Sequence, residues 1–148
     1  MTTHTVTLQR VLRCTPDRLY RAFTTPAAMA KWLPPNGFIC TVHHMDARVG
    51  GSYQMSFTNL GTGHGHSFGG RYLELTPGER LRYTAAFDDP HRPGEMQTTV
   101  TIRPVSCGVD LHIVQEGIPT LIPVESCVLG WQESLGLLAL LVEADVPG

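Results

Sequence analysis

The stretch that decides the fold is 122-IPVESCVLGWQESLGLLALLVEADV-146. Val124, Val128, Trp131, Leu135, Leu138 and Val142 recur at alternating steps of four and three, so on a helix they make one apolar stripe. Leu137, Leu141 and Cys127 widen the stripe, and Glu125, Gln132, Glu133 and Glu143 lie opposite. Pro123 suits a first helical turn and Glu125 sits against the positive end of the helix dipole. Pro147 and Gly148 read as the stop. At about 1.5 Å per residue such a helix is roughly 35 Å long, enough to cross a small domain. Gly130 and Gly136 interrupt it, each at a cost of about 1 kcal/mol relative to alanine. An interior glycine ordinarily marks the close approach of a neighbouring strand; the other reading is room left for a bound molecule. Leu129 and Leu140 fall on the polar side, a hint of a partner surface such as a homodimer contact.

The rest of the chain supplies what this helix would cover. Thr5 to Leu12 alternates and reads as a first strand. Thr15-Pro16-Asp17 and Thr25-Pro26 are two helix starts in tandem, with apolar faces from Leu19, Tyr20 and Phe23 and from Met29, Trp32 and Leu33. Pro34-Pro35-Asn36-Gly37 ends the second. From Phe38 the period becomes two. Phe38, Cys40, Val42, His44 and Asp46 share a face, as do Tyr53, Met55 and Phe57, then Phe68, Gly70 and Tyr72. Leu81, Tyr83, Ala85 and Phe87 follow, then Met96, Thr98, Val100 and Ile102, then Val109, Leu111 and Ile113. Turn signals separate these runs, including Gly50-Gly51, the Asn59–Gly65 loop, Thr76-Pro77-Gly78 and Asp88-Asp89-Pro90. The expected class is α+β: a curved antiparallel sheet of about seven strands, two short helices and a long C-terminal helix packed across it. A sheet gripping one helix tends to leave a cavity between them.

Composition narrows the function. With 148 residues, 16% charged and a formal net charge of −2, the chain is sized for one domain, 1–148, with a sparsely charged surface. No basic stripe argues for a nucleic-acid partner. No unbroken run of apolar residues and no apolar leader argue for a membrane, so a soluble, cytoplasmic protein is expected. Cys14, Cys40, Cys107 and Cys127 lie far apart and fit reduced thiols rather than disulfides or a zinc site. Neither a P-loop nor a dinucleotide or hydrolase motif is present, and no cofactor is expected.

The chain resembles the START-like (helix-grip, Bet v-like, SRPBCC) superfamily, in the branch named after the activator of Hsp-90 ATPase. The resemblance is carried by 15-TPDRLYRAFT-24, 31-KWLPP-35, 46-DARVGGSY-53, 70-GRYLELTP-77, Glu79-Arg80-Leu81 and 130-GWQESL-135, in the family's order. It implies a single START-like domain with a helix-grip fold. It implies no catalytic set, because the superfamily includes lipid carriers, cyclases and co-chaperone domains.

The candidate ligand-binding residues are Trp32, His44, Tyr53, Met55, Phe57 and His66, with Phe68, Tyr83, Phe87, Trp131 and Leu135. Tyrosine, tryptophan and histidine add polar tips to an apolar wall. His44 and Asp46, on one face of a strand, could form an orienting pair for proton abstraction, or merely a structural pair. His64 and His66 with His44 or Asp46 would make a weak metal set on a flexible loop, and no metal is expected. Three functions compete. The first is binding of a small hydrophobic or aromatic molecule between sheet and helix, without defined catalysis. The second, implied by the resemblance, is co-chaperone-like activation of the Hsp-90 ATPase. The third is a polyketide cyclase-like reaction through His44 and Asp46.

Overall fold

The structure, a computed structural model, describes residues 2–89, 91 and 94–147. Strand β1 (Thr3–Leu12) leads into helices α1 (Pro16–Thr24) and α2 (Pro26–Trp32). Strands β2 (Phe38–Met45), β3 (Ser52–Asn59), β4 (Gly65–Thr76), β5 (Arg80–Phe87), β6 (Met96–Val105) and β7 (Gly108–Pro119) follow, and helix α3 (Val124–Val142) closes the chain. The loop proline at 90 and Gly148, both read as breakers, lie outside the described residues.

Both short helices open on a proline after a threonine, and only the first threonine caps with its side chain. Thr15 Oγ1 accepts from the Arg18 amide at 3.2 Å and Pro16 opens α1. The two short helices are knit by the ring of Phe23 edge-on to Trp32, centroids 4.8 Å apart, and by Trp32 Nε1 donating to the Ala22 carbonyl at 2.8 Å. Trp32 is therefore fully buried in the α1–α2 corner, which corrects its placement among ligand-binding candidates. An indole N–H in a core needs an acceptor, and the end of α1 provides one.

The seven strands form one antiparallel sheet in the order β1-β7-β6-β5-β4-β3-β2: a meander from β2 to β7, with β1 returning to pair with β7. Bulges lie at His4/Val6, Val42/His44 and Tyr72/Glu74, and each adds local bend and twist. At Gly70 the strands approach so closely that any Cβ would run into the Thr84 carbonyl. This is a helix-grip fold, with α3 lying across the concave face.

Helix α3 is held unevenly. Its C-terminal half buries Leu135, Leu138, Ala139 and Val142 in a core shared with Leu12, Leu19, Val100 and Leu111. Arg18 caps its last carbonyls, Nη1 donating to Val142 at 3.2 Å and to Ala144 at 2.8 Å, a favourable place for a cation. Ser134 Oγ donates to the Leu33 carbonyl at 2.6 Å and pins the middle. The N-terminal half, from Val124 to Trp131, has no fully buried side chain and no side-chain cap. The filled core lies under one half of the helix only. By length and composition α3 would be apolar enough to cross a membrane, yet here its apolar stripe is directed at the sheet.

Candidate functional site

Under the N-terminal half of α3 lies a cavity of about 240 Å³. Its floor is the concave face of the sheet, where period two delivers Tyr53, Met55 and Phe57 from β3, His66, Phe68 and Tyr72 from β4, and Tyr83, Ala85 and Phe87 from β5. Strands β6 and β7 add Met96, Thr98 and Gln115. The side wall is Phe23, Met29, Leu33 and Pro35. The roof is a run of small residues on α3, Ser126, Cys127, Gly130 and Ser134, with Trp131 among them.

That roof explains why the space is not filled. Large side chains at 127, 130 and 134 would reach the floor; Cys, Gly and Ser do not. A Cβ built at Gly130 meets no atom within 4 Å, so the glycine is not there for a close-packed strand, and the ordinary expectation for it does not hold. Gly136 is likewise open and does not line the cavity. Trp131 is half-buried rather than deepest in the grip; its Nε1 donates to Gln115 Oε1 at 3.0 Å. The deepest contact falls a turn or two later, at Leu138.

The floor holds its polar tips in order. Tyr53 donates to the Thr84 carbonyl at 2.6 Å, and its ring lies 5.6 Å from Tyr72 and 6.1 Å from Tyr83. Burial pushes the phenols of Tyr53 and Tyr83 well above their ordinary pKa and takes Tyr72 to about 12. All three are neutral donors at physiological pH. His66 lies among Phe57, Phe68 and Phe87, with ring centroids 5.8, 6.3 and 5.7 Å away. His66 and Phe87 also border a polar depression, with Asn59, His64 and Asp88. Burial raises the thiol of Cys127 above its ordinary pKa, which makes it a poor nucleophile.

Of the residues singled out from sequence, the cavity brings together Tyr53, Met55, Phe57, His66, Phe68, Tyr83, Phe87 and Trp131. Leu135 is not among them; it packs in the filled core. His44 and Asp46 are not there either. The bulge at Val42/His44 adds a residue to β2, so His44 pairs with outward Gln54 and is turned to solvent, its Nε2 3.1 Å from Ser52 Oγ. Met45 takes the inward place instead. Asp46 lies past the strand and accepts from Arg48 Nε at 2.7 Å. Neither reaches the cavity, which removes the proton-abstraction pair. His64 is exposed in the β3–β4 loop, apart from His44, and among the described residues no three His, Cys, Asp or Glu side chains converge as metal ligands.

Sequence reasoning missed Ser126, Cys127 and Ser134 of the roof, the side wall and the β6–β7 part of the floor. Gln115 was reachable by one more step of two from Val109, Leu111 and Ile113. The roof had a signal too: Ser, Cys, Gly and Ser at helical spacing beside the apolar stripe.

Comparison with known proteins agrees with the fold. A solved protein of Chromobacterium violaceum is 62% identical over 95% of this chain and 98% of its own, with a TM-score of 0.94. Proteins of Rhodobacter sphaeroides (23% identical, 92% and 90% covered, TM-score 0.81) and Rhizobium leguminosarum (19%, 96% and 95%, TM-score 0.80) share the fold. No curated protein matches. The model of the family described as activator of Hsp90 ATPase homolog 1-like protein matches residues 13–143, from just after β1 to the end of the gripped helix, and the chain belongs to that family.

Proposed function

We propose that this protein binds a small hydrophobic or aromatic molecule in the cavity between the sheet and the N-terminal half of α3. The observation that carries the reading is the apolar space of about 240 Å³ under a helix face of small residues. A face built to complete a core would carry leucines there, as the C-terminal half of α3 does. Known ligand sites are mostly apolar clefts with a few placed polar groups, and this cavity has that character. The test is a thermal-shift and native mass spectrometry screen with fatty acids, flavonoids and polyketides. Saturable stabilisation by one class supports the reading, and none by any class would sink it.

The family's description also names the Hsp90 ATPase. For this chain a chaperone partner rests on that description alone. An ATPase assay with saturating protein decides it, stimulation supporting the partner and none dismissing it.

A further inference from the structure

Four consecutive strands each send one side chain into a single row across the cavity floor. The register pairs Tyr72 with Tyr83, Tyr83 with Thr98 and Thr98 with Gln115, and all four line the cavity. The row is polar at every tip, and two of the four tips are paired with each other. Tyr83 and Thr98 hydrogen-bond each other, and the neighbouring Tyr53 hydroxyl is held by the Thr84 carbonyl. Gln115 is different. An indole can only donate, so the 3.0 Å bond from Trp131 fixes the amide with its oxygen used and its NH2 group left over. That NH2 is a donor at the edge of an apolar space, with no partner among the described residues.

The same wall excludes charge. Among the described lining residues there is no Asp, Glu, Lys or Arg, and a single imidazole, His66. A carboxylate or phosphate placed on this floor would lose its water without gaining a counter-ion, a penalty of several kcal/mol per ion. An uncharged ring system would lose nothing comparable and would meet Phe57, Phe68 and Phe87. In size, a dry cavity of about 150 Å³ holds benzene, so this one suits about two rings.

Building on the cavity-binding reading, we propose that the site is selective for an uncharged aromatic molecule that carries an acceptor oxygen, a ketone or an ether, docked on the Gln115 amide. The experiment compares three probes with the same ring system at neutral pH: 2-acetylnaphthalene, 2-methylnaphthalene and 2-naphthoate. Each is titrated by calorimetry and by NMR of the side-chain amides. The ketone should bind most tightly, shift the Gln115 NH2 resonances, and exceed the naphthoate by more than about tenfold. Gln115→Met should bring the ketone down to the hydrocarbon, a loss of about tenfold, with the hydrocarbon unchanged. Gln115→Glu is the second variant, because it keeps an oxygen for the indole while removing the NH2, and it should lose the same preference. Naphthoate binding as well as the ketone, or a ketone affinity indifferent to both variants, would overturn the selectivity and leave the cavity-binding reading standing. Failure of all three probes to bind would overturn the aromatic selectivity, while the cavity-binding reading is decided separately by the ligand screen.

Discussion

Trp131 on α3 and Gln115 on β7 are joined by a 3.0 Å hydrogen bond from the indole to the amide oxygen, which ties the roof of the cavity to its floor. The bond crosses the hollow half of the grip, where little else holds the helix down. Trp131 is therefore half strut and half wall, and part of its ring faces space rather than packed atoms. Leu138, two turns further on, is fully buried in the filled half.

The two positions predict opposite responses to truncation. Leu138→Ala leaves a closed void and should cost about 2–5 kcal/mol. Trp131→Ala removes a larger side chain but should cost less than the about 3–5 kcal/mol of a packed tryptophan. It should also abolish ligand-induced stabilisation, which Leu138→Ala should leave in place. Urea midpoints for both variants, with and without a bound probe, check this. A loss at Trp131 well above that at Leu138, without a ligand effect, would mean a filled core.

Two glycines make a second contrast. Gly130→Ala adds a methyl where no atom lies within 4 Å and removes the helix penalty, so it should stabilise by about 0.5–1 kcal/mol. Gly130→Leu should fill the cavity and suppress ligand binding while the protein stays folded. Gly70→Ala drives a methyl into the Thr84 carbonyl on the next strand and should destabilise strongly or prevent folding. Thermal midpoints rank the three, and a destabilising Gly130→Ala would refute the open-roof geometry.

What could be read in the sequence was what is local. The Thr15-Pro16 cap, the Leu135–Leu138–Val142 stripe and the run of alternating strands each follow from a few neighbouring residues. Six inward aromatics followed from parity alone, and so did Met55. His44 did not, because a period of two assumes an unbroken ladder and the bulge at Val42/His44 inverts every side chain after it. Trp32 did not, because its burial depends on how α2 docks against the end of α1. The pairing of β1 with β7 joins residues about a hundred positions apart, and no local pattern encodes it.

The outer face of the sheet carries a test by pH. Asp110 accepts from Gln9 Nε2 at 2.7 Å, from Arg103 Nη2 at 2.8 Å and lies 3.2 Å from His112 Nε2. The Gln9 hydrogen bond first, then His112 and Arg103, hold its carboxyl below the usual range. A lowered folded pKa means the stabilisation is complete above the unfolded value of about 3.9 and is lost as pH falls through the folded one. Asp110→Asn should therefore lower the urea midpoint at neutral pH and bring it close to wild type at the acid end. Equal differences at every pH would show that the charge is not what Gln9 and Arg103 hold.

The tyrosines give the opposite sign at high pH. All four, Tyr20, Tyr53, Tyr72 and Tyr83, have phenols raised above the ordinary value, in each case chiefly by burial, with Tyr72 at about 12. A raised folded pKa means the stabilisation is full below the unfolded value of about 10 and is lost as pH climbs through the folded one. Native protein at about pH 10 should thus show clearly less phenolate absorbance than the urea-unfolded chain, which is about half ionised there. Phenolate from Tyr53, Tyr72 and Tyr83 should then appear together with loss of the far-ultraviolet dichroism, because these buried rings ionise by unfolding. Three of the four line the cavity, so an uncharged aromatic probe that displaces water from the floor should move that transition to higher pH. Reversible ionisation of three phenols near pH 10 in folded protein would mean a floor open to water, and with it a site too wet to prefer an uncharged ring.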